Sequence, residues 1–411
     1  MIDSVIKDNL CISCGICTLN GNASMQMVKG INIPKFNNEL DTKEKKELYD
    51  ICPGKGYPIV KMGEKQSLNE NIQHDYRLGY YNSIGAARSK DDRITKNSTS
   101  GGMIPAVANY LLENNIVNGV LTVKTIYTKN GPEPKPFIAT NLSDLISSQG
   151  SKYRPIPLFE NIDNVINFDG NLAVIGTPCQ IAGLRMLQEV NSKLNKKIKF
   201  TITNFCGGYR DYRETERIFE LKGINKKNIE FFTYRGKGQP GSMLIKEAKK
   251  DEINLPYPDY ARLTGHIKYK RCRLCVDATG ELSDLSFGDA WMPKYLNSGN
   301  KWSFFISRTE TGRSVLKKMF DDNLFHHSEI SKEELIESQS GNINTKKERQ
   351  NSRNKLYEFL GVRIPAFDGG YSKKDTNLKL ELKVATSHNI FLFLEKIKLY
   401  TPIARLIKRI K

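Results

Sequence analysis

Eight cysteines in this chain are spaced as metal ligands rather than scattered. Cys11, Cys14 and Cys17 stand two residues apart, with Gly15 in the turn between them. Such a run wraps one corner of a cubane and offers three thiolates to three irons. The bacterial ferredoxin run adds a fourth cysteine four positions on, which serves a second cluster. Here that position is Gly21, so the fourth ligand must come from elsewhere, and Cys52-Pro53 supplies it. Cys11, Cys14, Cys17 and Cys52 therefore read as one 4Fe-4S site. Structural zinc is the plainer alternative, but it usually takes its cysteines in pairs. Cys179, Cys206, Cys272 and Cys275 remain, the last two as C-x2-C. Four thiolates close a tetrahedral site for a cluster or for zinc. Two local alternatives stand beside that: Cys179 as a nucleophile at a helix start, or Cys179 or Cys206 as an inert buried thiol. No histidine is placed in sequence to act as a base. His74, His266, His326, His327 and His388 are isolated or sit in polar contexts, and no H-E-x-x-H, Walker A or G-x-S-x-G motif occurs.

The elements that must position these cysteines are legible around them. Leu172–Ile175 is a short apolar strand running into Gly176-Thr177-Pro178-Cys179-Gln180, and Ile181, Leu184 and Leu187 then mark one helix face. The crevice outside the carboxyl end of such a strand is where an α/β sheet binds its ligand. Ile198–Phe205 alternates apolar and polar residues and ends at Cys206-Gly207-Gly208. If the two strands are neighbours, Cys179 and Cys206 lie close together. Ser98–Gly102 precedes Ile104, Val107, Ala108, Leu111 and Leu112, one face of a helix. Taken locally this is an ordinary capped helix; a phosphate-binding helix start is the alternative. Gly119–Lys124 and Trp302–Ser307 read as strands, and about 308–360 as helices. Gly150-Ser151-Lys152-Tyr153 is a loop with a cation beside an aromatic ring. Strands alternating with helices predict an α/β fold. Residues 1–66 form a small cysteine-bearing module, whose excursion between Cys17 and Cys52 reads as a loop and a short helix. A linker spans roughly 64–83, a large domain 84–340, and a helical basic extension 341–411.

The chain has 411 residues and a net charge of +18, from 63 Lys/Arg and 45 Asp/Glu. A positive field favours anionic partners. Met1-Ile2-Asp3-Ser4 begins no apolar run, which argues against a signal peptide, and no stretch is long enough for a membrane span. A cytoplasmic protein that uses its cysteines for metal is expected, not a disulfide framework. Residues 373–411 hold ten Lys/Arg against three Asp/Glu. From Ile390, the residues Leu394, Ile397, Ile403, Leu406, Ile407 and Ile410 form a broken stripe opposite Lys396, Arg405, Lys408 and Arg409. A terminal helix packed on the domain is the preferred reading, and peripheral contact with an anionic membrane is the alternative.

Taken together, these stretches resemble the coenzyme F420 hydrogenase/dehydrogenase beta-subunit family. The matching runs are Cys11–Cys17 with Cys52-Pro53, Thr99–Gly102, Gly150–Tyr153, Gly176–Leu184, Phe205–Gly208, Cys272-x2-Cys275 and Asp284–Trp291. They occur in the family's order over roughly 10–292. The resemblance implies a mixed-sheet flavin-binding α/β domain, preceded by a ferredoxin-like iron-sulfur module and followed by a helical tail. It implies FAD and two 4Fe-4S clusters, the second held by Cys179, Cys206, Cys272 and Cys275. Ser100, Gly101, Gly102, Gly150, Ser151, Lys152 and Tyr153 would then cradle FAD, which reverses the local reading of the helix start. Gly176, Thr177, Pro178 and Gln180 would lie against the flavin and a cluster. Family members often carry His after Phe-Cys; this chain has Gly207. The implied activity is electron exchange between a one-electron, ferredoxin-like acidic carrier and a two-electron partner: coenzyme F420, a sugar-linked compound or another small molecule. Nucleic acid is not an expected partner. Asp289 and Tyr153 are the candidate proton donors. The rivals are a flavin-free electron-transfer subunit and a zinc-containing binding module with a basic surface.

Overall fold

The computed structural model describes residues 1–411 except 29, 68–71, 237, 264–267, 370–376, 398 and 400–411. Its centre is an eight-stranded mixed sheet of β1 (Ser83–Ser89), β2 (Gly119–Thr128), β3 (Gly131–Ala139), β4 (Leu172–Gly176), β5 (Ile198–Asn204), β6 (Leu285–Asp289), β7 (Ser303–Ser307) and β8 (Phe325–Ser328). The spatial order is β8-β1-β7-β6-β5-β4-β2-β3. Strands β2, β4, β5 and β6 run parallel. The other pairings are antiparallel. The inner strands are nearly continuous apolar runs because both faces are covered. Helix α1 (Met103–Glu113) buries Val107 and Leu111 against Phe200 and Ile202. Helix α2 (Pro178–Val190) buries Leu184 and Leu187 with Val174 on the other face. The polar half of β5 lies among apolar neighbours only because it is bonded: Thr203 Oγ1 donates to Gly176 O at 2.6 Å, and Thr201 Oγ1 to Asp284 Oδ2 at 2.7 Å.

The cysteine-bearing N-terminal residues share a core with this sheet. Ile2, Val5, Leu10, Ile16, Leu48 and Ile51 belong to the same apolar cluster as Val174, Leu184 and Leu187. The expected short helix before Cys52 is Thr42–Asp50, started by a capping box between Asp41 and Glu44. The rest of that excursion differs from the expected loop: Ala23–Val28 and Ile31–Phe36 form an antiparallel hairpin. The expected linker likewise contains a small hairpin, Gln73–Asp75 with Gly79–Tyr81, whose Leu78 is fully buried. At the sheet edge, Pro132, Pro134 and Pro136 occupy alternate positions of β3. Their missing N–H groups blunt the outer edge against pairing with another chain.

Between β5 and β6 the chain builds a satellite that the sequence pattern did not disclose. Helix Tyr212–Leu221 packs on a three-stranded antiparallel sheet, Ile229–Gly236, Ser242–Glu247 and Ile253–Pro256, with its own core around Phe219, Phe232 and Met243. The C-terminal part is helical as expected. Its last described helix, Leu378–Lys396, is anchored by buried Glu381, which pairs with Arg349 at 2.6 Å and Arg353 at 3.2 Å. Leu380, Leu382, Val384, Ile390, Leu392 and Phe393 are all exposed on it, at spacings that spread over several faces. Most of the expected basic stripe, from Ile403 to Ile410, lies outside the described residues. No helix among the described residues is long and apolar enough to cross a membrane.

Candidate functional site

The cysteine loops and glycine turns meet at one edge of the sheet. The carboxyl ends of β4, β5 and β6 lead into Thr177, Phe205 and Ala290, and the register of β7 and β1 brings Ser303 and Ala87 to the same edge. Around it gather the Ser98–Gly102 turn, the Gly176–Gln180 loop, Cys206 and the Asp289–Trp291 turn.

Cys11 and Cys14 lie on a loop after helix Ile2–Lys7, Cys17 lies in the 3-10 turn Ile16–Gly21 that follows it, and Cys52 opens the turn Pro53–Lys55. The loop bends back through positive φ at Ser13 (60°) and Gly15 (84°). All four thiols are in electrostatic reach of one another. Burial, then the charge of Cys52, pushes the Cys11 thiol up to about 12, and burial likewise raises Cys14, Cys17 and Cys52. Backbone amides oppose that shift. Ser13 N donates to Cys11 Sγ at 3.4 Å, and the amides of Gly54 and Lys55 face Cys52. N–H···S contacts of this kind stabilise thiolates and tune the clusters they hold. The donor set therefore fits an iron-sulfur group.

The second four cysteines come together as well. Cys179 sits in the first turn of α2, Cys206 follows β5, and Cys272 and Cys275 flank the end of helix Lys270–Arg273. All four line one small cavity with Arg271 and Lys346. Gly208 N donates to Cys206 Sγ and Tyr209 N to Cys272 Sγ, each at 3.3 Å. Burial raises Cys179 and takes Cys272 up to about 11. Cys275 moves the other way: Lys346 and Arg271 outweigh its burial. Gly207, where the family often has His, meets Asn342, whose Oδ1 would lie 2.9 Å from an added Cβ. Among the described residues, no three His, Cys, Asp or Glu side chains converge closely enough to hold a single metal ion.

The two sets adjoin. Ile12 of the first loop lines the second cavity, and Tyr269 feels both Cys11 and Cys272. Helix α2 carries Cys179 and packs directly on the Cys52 turn. A Cβ on Gly183 would stand 3.0 Å from Pro53 Cγ and 3.1 Å from Ile16 Cδ1. Gly183→Ala is expected to be close to neutral, because a helix gain of about 1 kcal/mol offsets a push of a few tenths of an ångström. Gly183→Leu is expected to cost about 1–3 kcal/mol by overpacking. Urea unfolding of the two variants beside the parent checks this.

The residues expected to cradle FAD are placed differently from one another. Ser100 Oγ contacts Ser303 Oγ at 2.6 Å and donates to Trp302 O at 3.0 Å, and Gly101 N donates to Ser303 Oγ at 2.9 Å. Gly101 is needed because a Cβ would meet Ala87 O at 2.3 Å, and Gly102 because its φ is +73°. Gln180 completes a capping box with Thr177 and donates from Nε2 to Ile156 O at 2.9 Å. Lys152 donates to the carbonyls of Ser148, Gln149 and Gly150 at 2.6–3.2 Å. Burial pushes its amine down to about 7, while those three carbonyls favour the charged form. Of the candidate proton donors, Asp289 Oδ2 receives Arg235 Nη1 at 2.5 Å. The Tyr153 ring packs edge-on to Tyr234 and under the Arg210 guanidinium. Arg235 comes from the satellite sheet and lies near the Trp291 ring. Its Nη2 is buried without a partner, as is Gln149 Oε1 beside the Gly150 loop. A buried guanidinium nitrogen left unbonded beside an indole ring fits a polar, planar ligand. Sequence reasoning missed Arg235 and Lys346, because cations that fold back onto a site from distant segments leave no spacing signal, and it missed Arg271 although that residue stands beside Cys272.

This fold and site are those of an α/β oxidoreductase. The family model for the coenzyme F420 hydrogenase/dehydrogenase beta-subunit N-term matches residues 84–163, and that for the C terminus matches 169–333, together more than half of the chain. The chain belongs to the coenzyme F420 hydrogenase/dehydrogenase beta-subunit family. It is 27% identical over 259 residues to the coenzyme F420 hydrogenase subunit beta of Methanothermobacter thermautotrophicus, covering 62% of this chain and 86% of that protein. One component of the F(420)H(2) dehydrogenase of Methanosarcina mazei is 24% identical, over 78% of this chain and 85% of that protein. The coenzyme F420-dependent sulfite reductase of Methanocaldococcus jannaschii is 24% identical over 91% of this chain but 55% of its own length. Among solved structures, a chain of the F420-reducing [NiFe] hydrogenase complex from Methanosarcina barkeri shares the fold, with a TM-score of 0.57 at 21% identity. That match covers 71% of this chain and 99% of that one.

Proposed function

We propose that this chain is an FAD and 4Fe-4S dependent oxidoreductase that links a one-electron carrier to a two-electron partner. The observation that carries the reading is the adjacency of two cysteine tetrads, with the second at the sheet edge where the flavin-cradle loops gather. Cys11, Cys14, Cys17 and Cys52 would hold one cluster, and Cys179, Cys206, Cys272 and Cys275 the other. Ser100–Gly102, Gly150–Tyr153 and Gly176–Gln180 would border the flavin. Clusters supply single electrons, and a flavin takes them singly and releases them in pairs. The protein's own part is to bury the cysteines, aim amides at them and fix the cluster spacing through the α2–Pro53 contact. Asp289 holds Arg235 against Trp291, and the Tyr153 hydroxyl is the remaining proton-donor candidate. The named activities of the relatives make F420 the first two-electron partner to test, with a multisubunit assembly as its setting. The basic charge suits either an acidic ferredoxin or an anionic cofactor.

Anaerobic reconstitution with iron, sulfide and flavin tests this. The expected result is about eight irons, about eight sulfides and one FAD per chain, with reduction of F420 by reduced ferredoxin or the reverse. A colourless protein, or zinc without sulfide, would overturn it. Clusters without flavin would leave only the electron-transfer subunit.

A further inference from the structure

We propose that Arg271 and Lys346 form a buried cationic pair that sets the reduction potential of the Cys179/Cys206/Cys272/Cys275 centre above that of the Cys11/Cys14/Cys17/Cys52 centre, so that electrons run from the N-terminal centre inward. This rests on the two-centre reading and adds a direction to it.

Arg271 is 1% exposed. Its Nε donates to Gly54 O at 3.0 Å and its Nη2 to Pro53 O at 2.8 Å, in the turn that carries Cys52. Its Nη1 is buried without a partner, and the residue lines the second cavity. Lys346 is 3% exposed. Its Nζ lies 3.7 Å from Cys275 Sγ and donates to Asp277 O at 2.6 Å. The π-helical turn Asn344–Glu348 allows Lys346 and Lys347 both to face inward. Their tasks differ. Lys347 is neutralised by Glu281 at 2.6 Å, whereas Lys346 has no carboxylate among its hydrogen-bond partners in the described residues. The carboxylate that Lys346 feels, Asp277, accepts from the amides of Gly280 and Glu281.

Reduction adds a negative charge to a group that is already anionic through its thiolates. In a low-dielectric site, two fixed cations stabilise the reduced form more than the oxidised one and raise the potential. Arg271 also reaches the first centre through the Cys52 turn, so Lys346 makes the difference between the two. The other cation beside the Cys52 turn, Lys55, is paired with Asp50 at 3.9 Å and is more exposed than Lys346. Electrostatics therefore orders the two centres.

The test is an EPR-monitored redox titration of the reconstituted full chain, with iron and sulfide counted in every variant. Cys275→Ser identifies which signal belongs to the second centre, and that signal is expected at the higher potential. Lys346→Met is expected to lower it by at least a tenfold change in the reduced-to-oxidised ratio, about 59 mV for a one-electron couple. Lys346→Arg is expected to restore it. Arg271→Gln is expected to act in the same direction, and the Lys346 series decides the matter if that variant does not fold. Two assembled centres whose potentials ignore Lys346→Met, or a second centre that titrates below the first, would overturn this inference and leave the two-centre reading intact. Absence of the centres would instead overturn the reading itself.

Discussion

Asp284→Ala is expected to destabilise the protein by about 3–5 kcal/mol, the usual cost of removing one partner of a buried ion pair. Asp284 Oδ2 accepts from Thr201 N at 2.8 Å, Thr201 Oγ1 at 2.7 Å and Arg185 Nη2 at 3.0 Å. Its Oδ1 accepts from Thr309 Oγ1 at 2.7 Å, and Thr309 in turn caps helix Glu310–Asp321. One carboxylate thus ties β5, the start of β6, helix α2 and a helix on the opposite face. Alanine leaves the Arg185 guanidinium, whose Nη2 bonds both Thr201 and Asp284, facing a cavity. Asp284→Asn keeps the shape and is expected to cost less. The pair Arg185→Leu with Asp284→Leu should cost less than Asp284→Ala alone, because no uncompensated charge remains. Shifts of the urea midpoint across the set check the order, and a double variant that loses as much as Asp284→Ala would show that the unpaired Arg185 charge is not what the alanine variant suffers from.

The Asp284 network shows how the sequence could be read and where it could not. The strands Leu172–Gly176, Ile198–Asn204 and Ser303–Ser307 were legible because their burial is written in apolar runs and alternation. Of the two cysteine sets that the fold brings together, the parts written in close spacing, Cys11–Cys17 and the Cys272/Cys275 pair, were the most legible. Cys179 and Cys206 also follow parallel neighbours, as strand ends require. The hairpin Ala23–Val28/Ile31–Phe36 was hidden because only Ala23 and Pro34 of its strands are buried, so little apolar burial marks it in the sequence. The satellite sheet was hidden for another reason: it closes its own small core around aromatic residues drawn from separate short stretches. Arg235, Arg271 and Lys346 are the harder case. Arg235 and Lys346 are ordinary cations in sequence that only the tertiary fold returns to the site, and Arg271, next to Cys272, gives no sign in sequence that its side chain is buried.

Gly15→Ala is expected to remove the N-terminal centre while sparing the second. Gly15 sits at φ +84°, and an added Cβ would stand 2.6 Å from Glu160 N and 2.9 Å from Phe159 C. Both obstacles are backbone atoms and cannot rotate away. The left-handed conformation costs a non-glycine residue about 1–2 kcal/mol, and overpacking adds about 1–3 kcal/mol. The same contact is what docks the cysteine loop: Phe159 N donates to Cys14 O at 2.8 Å, and Thr18 Oγ1 bonds both Gly15 O and Phe159 O. Moving the loop off Phe159 therefore displaces Cys14 and Cys17 together. Gly21→Ala is the matched control. It has a similar φ of +68° but nothing within 4 Å of an added Cβ, so only the conformational cost of about 1–2 kcal/mol applies. After anaerobic reconstitution, Gly15→Ala should retain about four of about eight irons, and Gly21→Ala the full complement. Equal iron in both would mean that the loop holds its cysteines without leaning on the sheet domain. Loss of all iron in Gly15→Ala would mean that the two centres assemble as one unit, a stronger coupling than the shared Pro53–Gly183 contact alone requires.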